Sequence, residues 1–349
     1  DEELALAQAK KSDVLHQSGQ HGDLHGIPIG VKDIFDTVDM PTEDGTEIHK
    51  NNPSLNDCTV VSKLKQAGAI IMGKTVTTEL AYYSPGKTKN PHDLSRTPGG
   101  SSSGSAASVA AGMSLASIGT DTGGSIRIPA AACGVVGLKP TQGELITEGI
   151  VPLAPTLDHV GPLANTVGDA ALIYQVMAGG ARRIETDDVV WHTKQPRRQL
   201  GLLQPYFLDQ LDADIRRSFE ETVDHLRKAG YAIRELSIGH ADTIAATYRL
   251  TQLYEAFQIH EHLLETRFDH YSPDVRDRLS LGRHVSEDDY HRMQVDRAVL
   301  QTEVDRNLDG IDALILPTLA IPAPKPGSTH ALIDGQLQDL RAVSLRLTQ

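Results

Sequence analysis

Hydroxyl side chains are concentrated in one stretch of this chain. From Pro98 to Pro140 it reads PGGSSSGSAASVAAGMSLASIGTDTGGSIRIPAAACGVVGLKP, dense in Gly, Ser and Ala. Flexible Gly/Ser linkers lack apolar residues. Here the small residues alternate with Val109, Met113, Leu115 and Ile118, and the stretch closes on Val135, Val136 and Leu138. Small residues let backbones approach closely, and Gly permits positive φ. The stretch therefore reads as a tightly packed catalytic core whose backbone comes near a substrate. Ser125 follows Thr122-Gly123-Gly124, a turn whose N–H groups can converge on one point. Upstream, GIPIGVKDIF at 26–35 carries Lys32, which lies 69 positions before Ser101, and Ser125 lies 24 after it.

These segments, GIPIGVKDIF, GGSSSGSAA and GTDTGGSIRIPAAACGVVGLKPT, resemble in order and spacing the signature of the amidase signature family. The resemblance covers nearly the whole chain and is strongest from about residue 20 to 180. It implies an α/β fold, a single amidase domain over 1–349 with a large mixed central sheet covered by helices on both sides. It also implies a chemistry. An amide is resonance-stabilised with a poor leaving group, so its cleavage needs a strong nucleophile, oxyanion stabilisation and a proton for the departing nitrogen. By the resemblance Ser125 is the nucleophile, Lys32 the base, and Ser101 the relay between them. A cis peptide from Gly100 enters Ser101, and the amides of Thr122, Gly123, Gly124 and Ser125 form the oxyanion hole. A helix opening at or just after Ser125 would add positive potential there. Asp121 and Arg127 brace the loop, and Ser102, Ser103 and Ser105 are structural hydrogen bonders. Lys32 must be neutral to act, against an ordinary value of about 10.4; burial without a nearby carboxylate lowers it.

The implied reaction converts a small-molecule amide, ester or carbamate to a carboxylate plus ammonia or amine, without metal or cofactor. The family also contains the amidase subunit of tRNA-dependent amidotransferases, which hands ammonia to a partner. The glutamine usual there after SIR is Ile128 here, and the Gln usual at another position is His159. Members are often dimers, but no patch in this sequence reads as an interface. Members usually extend past both ends, so a Gly- and Pro-rich continuation with further strands and pocket wall is expected beyond TQ.

The elements that position these residues follow from periodicity. Residues 1–18 suggest a helix with Leu4, Ala7 and Val14 on one side. Ile27, Ile29 and Val31 alternate with Pro28, Gly30 and Lys32, so Lys32 projects opposite the aliphatics, and Asp33 away from Lys32. Asp57 reads as the N-cap of a helix to Gln66, followed by a strand at 69–73. A turn-rich lead at 90–98 precedes a helix at 106–112 and a strand at 115–119. Residues 150–164 read as loop and 167–177 as a helix. The polar segment 185–198 is the best boundary. Beyond it come a strand at LGLLQ, a helix on Leu211, Ile215, Phe219, Val223 and Leu226 ended by Gly230, a strand at 231–236, a charged peripheral helical layer over 241–307, and a strand within 312–324.

Other motifs reduce to simpler readings. Gly68-AIIM-Gly73-Lys74-Thr75 matches the P-loop pattern, but its middle residues form an apolar strand where a phosphate cradle would be polar. HEH at 260–262 lacks the i, i+4 spacing of two ligands on one helical face. Cys133 in AAACGVV reads as a small buried hydrophobe. Tyr82, Tyr83, Tyr254 and Phe257 are candidates for a pocket wall, with core packing as the simpler role. The net charge of −13 argues against a nucleic-acid surface. Two cysteines suit a reduced, cytoplasmic setting, and no apolar run reaches the roughly 18 residues of a membrane span.

Overall fold

The computed structural model describes residues 2–19, 21–82, 84–180 and 198–349. Tyr83 and nearly all of the expected boundary at 185–198 lie outside them. In chain order the first half holds α1 (Glu2–Gln17), β1 (Pro28–Lys32), α2 (Thr59–Gln66), β2 (Ile70–Thr75), α3 (Ser103–Ala110), β3 (Ala116–Asp121), α4 (Arg127–Cys133), β4 (Val136–Gly137), β5 (His159–Ala164) and α5 (Val167–Met177). The second half holds β6 (Gln199–Leu203), α6 (Ala213–Lys228), β7 (Ala232–Leu236), α7 (Ile244–Thr266), α8 (Pro273–Leu281), α9 (Glu287–Asn307), β8 (Ala313–Ile315), β9 (His330–Ile333), β10 (Gln336–Asp339) and α10 (Leu340–Leu345).

The central sheet is mixed, in the order β2-β1-β3-β5-β4. β1 runs parallel to β2 and β3, whereas β5 runs antiparallel to β3 and β4. Side chains alternate across it. Ile29, Val31, Ile118, Val160 and Ala164 pack with α2 and α5. Leu163 on the other face packs with Ala106, Ile126 and Ala130 of the α3–α4 region. Burying both faces makes β1 a strand in which Lys32 is as inaccessible as Val31, each 0% exposed. A separate parallel sheet, β7-β6-β8, packs with Phe207, Leu211 and the flank of α9.

Several expectations need correction. The segment 150–164 is not all loop, because its last six residues form β5. Gly161 and Pro162 disguise it, yet Pro162 costs no central pairing that the strand cannot spare, since its carbonyl still accepts from Leu138 N at 3.0 Å. Asp57 does not cap α2, whose N-cap is Cys58 with no side-chain bond. Asp57 instead accepts from Val38 N and from Lys65 Nζ. α4, by contrast, does open just after Ser125, at Arg127. α1 docks through polar groups, not through Ala7 and Val14, which are exposed. Its Gln8 amide accepts from Ile71 N at 3.0 Å and donates to Ile71 O at 3.5 Å, standing in for a strand at the open edge of β2. Finally, α7 is no peripheral helix: Tyr248, Leu253, Ala256, Phe257 and Leu264 on it are buried.

Candidate active site

Lys32 ends β1 with its Nζ donating to Ser101 Oγ and to Thr120 Oγ1, at 2.7 Å each. Burial lowers its pKa to about 7, against the opposing charges of Asp158 and Asp121. Neither carboxylate touches it. Asp33, next in sequence, projects the other way onto Lys74 at 3.1 Å. That lysine, the P-loop look-alike, is a strand residue that also donates to Phe35 O and Thr42 Oγ1.

Ser101 is held by the turn into α3. The Gly100–Ser101 peptide is cis, and Ser101 O accepts from Thr78 N at 3.1 Å. The following serines tie this turn to the sheet. Ser102 Oγ donates to Thr120 O at 3.2 Å, Ser103 Oγ to Val76 O at 3.1 Å and Ser105 Oγ to Ile118 O at 3.0 Å. Ser102 N also donates to Ser125 O at 3.2 Å, which sets the two serine turns side by side. Lys32 and Ser101 are thus in contact. Ser125 is half-buried beside them, and among the described residues its Oγ makes no hydrogen bond, to Ser101 or elsewhere.

The turn before Ser125 is organised by Asp121. Its carboxylate accepts from Gly124 N at 2.7 Å, Ile126 N at 3.2 Å and Arg127 N at 3.3 Å. Arg127 adds Nε at 2.9 Å and Nη2 at 2.8 Å. Burial alone would raise the Asp121 pKa, but Arg127 and these amides outweigh it and hold the carboxyl below its usual range. The Gly124 amide, expected among the oxyanion donors, is therefore committed to Asp121. The amides of Gly123 and Ser125 have no hydrogen-bond acceptor among the described residues. Gly124 has φ 128°, and a Cβ there would lie 2.3 Å from Thr348 Oγ1. At Gly123 a Cβ would lie 2.1 Å from Tyr248 Oη.

Four neighbours of this site escape the sequence reading. Thr120 sits inside the GTDTGGS motif, overshadowed by Asp and Ser neighbours whose chemistry is plainer. Asp158 Oδ1 accepts from Thr122 Oγ1 at 2.6 Å. Thr348 Oγ1 donates to Gly123 O at 2.7 Å, and its carbonyl accepts from Arg127 Nη2 at 2.7 Å. Tyr248 arrives from α7. Only tertiary structure brings the last three near Ser125. Of the pocket-wall candidates, Tyr82 and Phe257 share an apolar cluster with Leu153 and Leu264, and Tyr254 stacks on Tyr290 at 4.4 Å.

Among the described residues no group of three or more His, Cys, Asp or Glu side chains is placed to hold a metal ion. His260 is buried, which pushes its pKa down to about 4, whereas His262 is exposed. Burial raises the Cys133 thiol to about 11, and its Sγ donates to Pro98 O at 3.5 Å. A groove of about 500 Å³ between β6 and α6 contains none of the candidate residues. No helix among the described residues is long and apolar enough to cross a membrane.

Known proteins resemble this chain in sequence and fold. A family model described as Amidase matches residues 1–344. A glutamyl-tRNA(Gln) amidotransferase chain from Koribacter versatilis is 36% identical over 93% of this chain and 75% of its own length. An amidase from Pseudomonas putida is 38% identical over 99% of this chain and 77% of its own. A crystal structure described as an amidase superposes with a TM-score of 0.92 at 35% identity, covering 100% of this chain and 80% of that one.

Proposed function

The chain belongs to the amidase signature family, and on that footing we propose that it hydrolyses a linear amide through an acyl-enzyme on Ser125. Neutral Lys32 accepts the proton of Ser101 Oγ as Ser101 accepts that of Ser125, whose Oγ attacks the carbonyl carbon. The carbonyl oxygen, now negative, is received by the amides of Gly123 and Ser125, with Thr122 beside them. Ser101 then passes a proton to the departing nitrogen and Lys32 resupplies it, so the C–N bond breaks and ammonia or an amine leaves. Water, deprotonated along the same relay, attacks the ester and restores Ser125. Each oxyanion donor is worth about 3–4 kcal/mol of barrier.

One observation carries this reading. Lys32 is wholly buried, and both of its hydrogen-bond partners are hydroxyls rather than carboxylates. A lysine kept only for charge would sit beside an acid. In this reading residues 1–349 are one amidase domain of a cytoplasmic enzyme, dimeric as many members are, acting on a small-molecule amide, ester or carbamate.

The test is intact mass after exposure to a fluorophosphonate. One adduct is expected on the native chain, absent from Ser125→Ala and formed more slowly at neutral pH in Lys32→Ala. Absence of an adduct on folded protein overturns the reading. A panel of amides, esters and carbamates then defines the substrate.

The second reading, one chain of a tRNA-dependent amidotransferase, draws on the Koribacter relative. Ile128 and His159 stand where that class usually carries glutamine, which favours the hydrolase. Glutamine-dependent transamidation appearing only with an added partner protein would reverse that preference.

A further inference from the structure

The end of β3 sends two threonines in different directions. Thr120 Oγ1 takes the Lys32 ammonium nitrogen at 2.7 Å, and Thr122 Oγ1 donates to Asp158 at 2.6 Å. The other Asp158 oxygen accepts from Leu153 N at 2.8 Å and Ala154 N at 3.1 Å. A carboxylate gripped at both oxygens cannot swing away. Thr120, Thr122 and Asp158 line a common cavity of about 50 Å³, walled elsewhere by Ile34, Ile150 and Leu153. That volume suits ordered water and is far below the few hundred Å³ of a ligand pocket.

The charges around this cavity differ in how far they are neutralised. Asp121 is paired with Arg127. Asp33 is paired with Lys74 behind β1. Glu255 of α7 is bound by Thr156 and by Tyr290 of α9. His159, next to Asp158 on β5, has Nδ1 against Leu157 O and Asp121 O, and burial together with Lys139 keeps its pKa low. Asp158 has no cationic partner among the described residues, so its charge is not offset at close range.

We propose that Asp158 is a positioning residue for the Ser125 chemistry: through Thr122 it fixes the start of the nucleophile turn, and across the cavity its charge sets how readily Lys32 gives up its proton. The inference rests on the reading of Lys32 and Ser125 given above. The sign is fixed by electrostatics. A nearby carboxylate favours the ammonium, so removing its charge lets Lys32 become neutral at lower pH. The pKa of Asp158 itself, raised by burial to about 6 against the hydrogen bonds that lower it, agrees with a carboxylate lacking a counter-ion.

The experiment follows the rate of fluorophosphonate labelling of the full chain against pH, by intact mass, with thermal unfolding alongside. Asp158→Asn keeps the shape. Its carbonyl can accept from the Leu153 and Ala154 amides while its NH₂ donates to Thr122. The midpoint of the acid limb should fall by roughly half a pH unit. Thr122→Val, which keeps the charge and cuts the tether, should lower the plateau about tenfold and leave the midpoint in place. Where Asp158→Asn does not fold, Asp158→Ser, which admits water to the two amides, carries the same expectation for the midpoint. An unmoved midpoint in a folded, labelled Asp158 variant overturns the inference alone, and so does a Thr122→Val midpoint that moves as far. A native chain with no label on Ser125 overturns the underlying reading and the inference together.

Discussion

Asp33 Oδ1 lies 3.1 Å from Lys74 Nζ, on the side of β1 turned away from Lys32. Two adjacent residues of one strand thus face opposite environments, an ion pair behind and hydroxyls in front. Cutting Lys74 to Met leaves Asp33 half-buried without its cation and removes the Lys74 bonds to the Phe35 carbonyl and Thr42. Lys74→Met should cost about 2–4 kcal/mol in urea unfolding, and the double variant Asp33→Asn/Lys74→Met should recover part of that loss.

Lys32→Met should slow Ser125 labelling at neutral pH, as Lys32→Ala does, and change how stability depends on pH. The folded pKa near 7 lies below the ordinary 10.5, so between these values the unfolded chain binds more protons than the folded one. Native stability must then rise as pH climbs from about 7 towards 10.5, and the full penalty persists below 7. Unfolding measured across that window should give a smaller upward slope in Lys32→Met than in the native chain.

Gly123→Ala forces a methyl into the space of the Tyr248 hydroxyl. The turn must shift, and with it the amides offered to the oxyanion. Labelling of Ser125 should fall by about a hundredfold, the scale of one lost donor. Adding Tyr248→Ala should restore part of the rate; a double variant no faster than Gly123→Ala would refute the steric account.

Arg127→Met strands the buried Asp121 carboxylate. With the Arg127 side chain 27% exposed, the expected cost is about 3 kcal/mol, the lower end for a buried pair. The native Asp121 pKa is depressed, so its contribution is present above the ordinary value of 3.8 and is lost as pH falls below it. Thermal midpoints of the two proteins should therefore converge towards acid pH.

What the sequence reveals of this site is its local part. Lys32, Ser101 and Ser125 lie in motifs whose order and spacing carry the resemblance to the family, and the structure sets Lys32 against Ser101 with Ser125 beside them. β1, α5 and α6 follow from apolar period. β5 does not, because Gly161 and Pro162 are turn residues unless a sheet on both sides holds them extended. The Gly124 amide reads as an oxyanion donor because nothing local says which way the Asp121 side chain folds back. Asp158, Tyr248 and Thr348 reach the site from elsewhere in the chain, and no pattern around them announces a partner at Gly123 or Thr122.

Thr348 donates to Gly123 across 225 positions of sequence. During synthesis the Ser125 turn is finished long before the threonine that buttresses it exists. In the proposed mechanism the turn that carries Ser125 is therefore buttressed only after the distal part of the chain has folded back onto it. A nascent chain that ends before Thr348 would already carry Lys32, Ser101 and Ser125 and still lack the bond that holds the Gly123 carbonyl in place.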